Sequence, residues 1–78
     1  MGKLEKRIER IMKLDTNLRF EDLANVLMKL GYTKNKPSGG SHYTFRKKGK
    51  QPITIPNDSP INIAYVEMVK DALIEEGF

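Results

Sequence analysis

Residues 38–56 read SGGSHYTFRKKGKQPITIP, and within them apolar side chains recur with a period of two. In an extended chain Tyr43 and Phe45 point to one face, while His42, Thr44 and Arg46 point to the other. Ile53 and Ile55 repeat the alternation after a turn at Gly49-Lys50, on a parity that matches Tyr43 and Phe45 and leaves Thr54 on the His42 face. This predicts strands over residues 41–47 and 52–55, with one face that must be covered and one polar face carrying the sole histidine of the chain. A further strand is predicted near residues 32–36, with the face of Lys34 and Lys36 left open.

On both sides of this stretch the period lengthens to that of a helix. Phe20, Leu23, Ala24, Leu27 and Leu30 share one stripe, with Glu21 and Asp22 suited to a first turn and Gly31 to a stop. After Pro56-Asn57-Asp58-Ser59-Pro60 closes the sheet, Tyr65, Val66, Val69, Ala72 and Leu73 form a second stripe over residues 62–76, ended by Gly77. Leu4, Ile8, Ile11 and Met12 predict a short amphipathic helix ahead of both, broken at Asp15-Thr16-Asn17, which also offers cap-type side chains to the helix that follows. The order helix, helix, three strands, helix defines an α+β class: a small three-stranded antiparallel sheet with helices on one face, the opposite face open, and an additional N-terminal helix over residues 1–15.

With 78 residues the chain is one small domain with a modest core, and a shallow surface site is expected rather than a deep cofactor cavity. The absence of cysteine excludes a disulfide scaffold, a thiol nucleophile and a Cys-ligated zinc site, and fits a cytoplasmic setting. The charged N-terminus, Met1 to Glu9, is not expected to be a signal peptide, and no membrane span is expected. No P-loop, no Gly-x-Gly-x-x-Gly and no second histidine is present, so no metal or cofactor is predicted.

Charge is distributed unevenly. Between Gly31 and Asn57 there is no Asp or Glu, while Lys34, Lys36, Arg46, Lys47, Lys48 and Lys50 all fall there. The net charge of +4 is therefore local to the strands and turns around His42. Such a cluster is either a solvated lysine-rich hairpin or a footprint for phosphates. A lone outward histidine beside it shifts the reading toward RNA, whose 2′-hydroxyl is a built-in nucleophile needing only a general base, and an imidazole is the side chain whose ordinary pKa lies nearest neutrality. The run Ser38-Gly39-Gly40-Ser41 has a place in that chemistry, because glycine lets backbone N–H groups approach a phosphate and serine adds a hydroxyl. Read without His42 it is a turn entering a strand.

The Gly40-Ser41-His42 tripeptide followed by Phe45, and preceded by the helix from Phe20-Glu21-Asp22-Leu23 to Leu30-Gly31-Tyr32, resembles the HicA toxins of bacterial HicA–HicB toxin–antitoxin pairs. The resemblance covers the chain from about Phe20 to the C-terminus, within a domain spanning residues 16–78. It implies a double-stranded-RNA-binding-domain-like fold, metal-independent endoribonuclease activity against mRNA, His42 as the catalytic residue, Gly40 and Ser41 as its motif neighbours, and a HicB-like antitoxin as partner. Many relatives carry another histidine in a Pro-x-His pattern after the third strand, where this chain has Pro56-Asn57-Asp58, so no general acid is named. Arg46, Lys47 and Lys36 are the expected phosphate contacts. Two other readings stay open: a non-catalytic RNA-binding module, and a domain whose basic hairpin docks an acidic partner.

Overall fold

A computed structural model describes residues 2–36, 42–58 and 60–78. The order of elements is α1 (Lys3–Met12), α2 (Phe20–Lys29), β1 (Thr33–Asn35), β2 (His42–Arg46), β3 (Ile53–Pro56) and α3 (Ile63–Glu75). The strands form one antiparallel sheet in the order β1-β2-β3, so β2 is central and the other two are edges. Pro56, which donates no ladder hydrogen bond, accordingly lies at the end of an edge strand.

Register decides which side chains share a face. Tyr43 stands opposite Ile55 and Phe45 opposite Ile53, while Thr44 stands opposite Thr54, as the parity of the two segments requires. On the other side of β2, Thr33 pairs with Arg46, Lys34 with Phe45 and Asn35 with Thr44. This places Lys34 on the covered face, where its ammonium lies 5.6 Å from the centre of the Tyr43 ring.

Helices cover that face. Phe20 opens α2 and sets its ring 5.0 Å from Tyr43 and 6.1 Å from Phe45. Leu23, Val26 and Leu27 of α2, Val66, Val69 and Leu73 of α3, and Phe45 and Ile55 of the sheet are fully buried together. Helix α1 is part of the same core: it packs on α2 and α3, Ile11 is fully buried, and Leu4, Ile8, Met12 and Leu14 lie against the cluster.

All three helices stop with the same geometry. Tyr32 N–H reaches Leu27 carbonyl, Phe78 N–H reaches Leu73 carbonyl and Asp15 N–H reaches Arg10 carbonyl, each at 3.0 Å, while the residue before each donor bonds one turn back. These are Schellman closures, which need a left-handed residue just past the helix. Gly31 (φ 101°) and Gly77 (φ 96°) supply it without strain, whereas α1 uses Leu14 at φ 56°.

The start of α3 is as expected, with Asn62 as N-cap accepting the Ala64 N–H at 2.9 Å, but the cap of α2 is not. Asp15 accepts the Asn17 N–H at 2.7 Å and so builds a turn in the connection, not a cap on α2. The N-cap of α2 is Arg19, and Asp22 reaches back to accept its N–H at 3.0 Å while also accepting from Arg7 Nε at 3.0 Å. One carboxylate thus caps α2 and ties α1 to it. The connections before α2 and α3 also join, through the Ile61 N–H to the Leu18 carbonyl at 2.8 Å, and both side chains are buried.

Candidate nucleic-acid interface

The face of the sheet away from the helices is built from alternate residues of each strand. His42, Thr44 and Arg46 come from β2, Thr33 and Asn35 from β1 by register, and Thr54 and Pro56 from β3, with Pro56 opposite His42. His42 and Arg46 are exposed, as are Thr33, Asn35 and Thr54. Apart from Pro56, which is buried opposite His42, every one of these side chains is polar, and none is a carboxylate. His42 and Arg46 stand at the two ends of β2, four residues apart, which at about 3.3 Å per residue separates their Cα atoms by about 13 Å. Between them the Thr44 and Thr54 hydroxyls lie 3.3 Å apart, with either able to donate.

The residues predicted from sequence do not all converge here. His42 and Arg46 share the open face. Lys36 follows β1 and is exposed. Gly40 and Ser41 lie outside the described residues, so the geometry of the Gly-Ser-His entry is not part of the site as described. Lys47 turns to the helix side: its ammonium donates to the Leu30 carbonyl at 2.6 Å and to Glu76, and lies 5.7 Å from the Tyr32 ring centre. That hydrogen bond from Lys47 holds the Glu76 carboxyl below its ordinary range.

The local cations thus divide between two jobs. Lys34 sits over Tyr43, Lys47 closes helix ends, and Lys50 pairs with Glu75 at 3.5 Å. Among the described residues no carboxylate pairs with Lys36, Arg46 or Lys48. A charge count along the sequence could not make that division, because it depends on which cations lie beside the C-termini of α2 and α3.

Chemically, the face offers one proton acceptor and one planar guanidinium suited to phosphate oxygens. Among the described residues it holds no second titratable side chain apart from Arg46, and no three His, Asp or Glu side chains gather anywhere as a metal site would need. A groove of ≈ 380 Å³ between the β2–β3 turn and α3, lined by residues including Tyr32, Lys50, Met68 and Glu75, is not lined by His42 or Arg46. Among the described residues no helix is long and apolar enough to cross a membrane.

The functional candidates that sequence reading left out are Thr44 and Asn35. Thr44 was visible in the alternation as a neighbour of His42; Asn35 was hidden because the face of β1 follows from register alone. The chain matches no protein-family model, no curated protein and no solved structure.

Proposed function

We propose that this chain is the toxin of a toxin–antitoxin pair, an endoribonuclease that cuts mRNA with His42 as general base and is restrained by a HicB-like antitoxin in the cytoplasm. The observation that carries the reading is the position of His42, exposed at the start of the central strand on a face that it shares with Arg46 and that, among the described residues of the strands, holds no carboxylate. The run α2-β1-β2-β3-α3 is the order expected of the double-stranded-RNA-binding-domain-like fold that the HicA resemblance implies, and so supports it.

In the reaction an imidazole nitrogen of His42 takes the proton of a ribose 2′-hydroxyl. The freed oxygen bonds to the adjacent phosphorus, the bond from phosphorus to the 5′-oxygen breaks, and that oxygen leaves with a proton from water. The products are a 2′,3′-cyclic phosphate and a 5′-hydroxyl. Arg46 holds a neighbouring phosphate, with Lys36 and Lys48 adding charge at the rim. The substrate supplies the nucleophile, so the general base carries the acceleration, on the order of 100- to 10,000-fold. Lys47 contributes by fixing the end of β2, since its ammonium is already engaged.

A labelled messenger-like RNA incubated in EDTA with the protein and with His42→Ala tests this. Cutting to cyclic-phosphate ends by the first protein and not the second supports the mechanism; equal cutting by both removes His42 from it. A second reading, a non-catalytic RNA-binding module, is favoured by one feature: no general acid accompanies His42 on the face among the described residues. Salt-sensitive binding with no product under any condition supports that reading instead.

A further inference from the structure

The row of residues crossing the sheet midway between His42 and Arg46 consists of Asn35, Thr44 and Thr54, placed side by side by register. We propose that this row binds the ribose 2′-hydroxyls of a single RNA strand laid along β2, so that the face selects RNA over DNA without reading base identity. The inference rests on the nucleic-acid reading of the face and names its substrate class.

Geometry supports this in two ways. Residues two apart on a strand are separated by about 6.6 Å, so the Thr44 row lies one such step from His42 and one from Arg46. A strand with one phosphate at His42 and another near Arg46 crosses the row with the intervening sugars. Those sugars meet hydroxyls and an amide. Thr44 and Thr54 share one hydrogen bond at 3.3 Å, which uses one of their two donors and leaves the second donor and several lone pairs facing solvent. A 2′-hydroxyl, itself donor and acceptor, is complementary to that pair, and it is the group that distinguishes RNA from DNA.

What the face lacks argues against base reading. Sequence-tolerant or sequence-specific recognition of unstacked bases uses aromatic side chains as stacking platforms. Among the described residues the open face has none apart from the His42 imidazole: Tyr43 and Phe45 point to the helices, against Phe20. Sugar and phosphate contacts are what remains.

The test measures binding in the non-cleaving His42→Ala background, so that it is independent of catalysis. Single-stranded RNA and DNA oligonucleotides of the same sequence, and oligo-A, oligo-C and oligo-U RNAs, are titrated by fluorescence anisotropy against that protein and against one also carrying Thr44→Val and Thr54→Val. Valine keeps the shape and strand preference of threonine, and circular dichroism checks that the variant folds. The expected result is tighter RNA than DNA binding by on the order of 3- to 10-fold, the worth of about one hydrogen bond, with the three RNAs alike and the preference abolished by the two valines while DNA binding is unchanged. Equal RNA and DNA binding in the threonine protein, strong preference among the RNAs, or an RNA preference that survives the valines overturns it. Failure of the wild-type protein to cut RNA would sink the nuclease mechanism and leave this result standing.

Discussion

The Lys47 ammonium donates to the Leu30 carbonyl oxygen at 2.6 Å, and the same nitrogen is bonded to Glu76. One side chain at the end of β2 thus meets the C-cap residues of both α2 and α3, where a cation also complements the helix dipoles. It holds the helix layer against the strand that carries His42. Lys47→Met is expected to lower stability by about 1–2 kcal/mol through the lost carbonyl bond, and a urea midpoint unchanged from wild type would show that the bond contributes nothing.

Stability should fall at acid pH. Glu76, held down by the Lys47 hydrogen bond, Glu9, held down by Lys13, and Asp15, held down first by the Asn17 N–H, all release their protons more readily folded than unfolded. The unfolded chain then binds more protons, so the stabilisation is complete above the ordinary values of 4.5 for glutamate and 3.8 for aspartate and is lost as pH drops through the lower folded values. Thermal melts should be level from neutrality down to these values and decline below them. Glu76→Gln should shrink that decline; an identical pH profile would exclude Glu76 as a contributor.

Helix α1 should unfold together with the rest. Ile11→Ala removes a fully buried side chain and is expected to cost about 2–5 kcal/mol, a large part of the roughly 4–12 kcal/mol expected for a domain of this length. Loss of all helical signal and of the tyrosine environment in one shared transition is the expected outcome. If near-native sheet packing survived while only a third of the helix melted, α1 would be an appendage.

His42→Ala should leave stability within about 0.5 kcal/mol of wild type, because the side chain is exposed. RNA cleavage should be lost. Retained folding with lost cutting separates a chemical role from a structural one, whereas a melting temperature lowered by many degrees would attribute any lost activity to misfolding.

Arg46→Ala should weaken binding to all RNAs alike and reduce the slope of log affinity against log salt by about one, as expected for one lost phosphate contact. A changed base preference with an unchanged salt slope would mean that Arg46 reads bases.

Much of the fold was legible before any coordinates. The stripes of α2 and α3 end at Gly31 and Gly77, and both glycines adopt the left-handed conformation that closes a helix. The parity that joined Tyr43 and Phe45 with Ile53 and Ile55 is the observed register. Leu18 and Ile61 escaped notice because each lies in a short connection with no period to reveal it, and they are buried by pairing with one another. Asp15 resembled a helix cap by residue type, yet Asp22, three residues past the true N-cap, performs that task. Of the candidate site, His42 and Arg46 could be placed on one face by alternation alone, while Gly40 and Ser41 lie outside the described residues.

The sequence by itself determined the elements, the buried sides of the helices and of β2 and β3, and the placement of His42 on the face away from the core, because burial along a single helix or strand imposes a period of 3.6 or 2 on the chain. Only the tertiary structure decided that Lys34 faces the helices, that Asn35 joins Thr44 and Thr54 in one row, and that Lys47 is withdrawn from the basic cluster. These outcomes depend on strand register and on the meeting of helix ends. Lys47 lies 17 residues from Leu30 and 29 from Glu76, and no local pattern encodes a contact between residues so far apart.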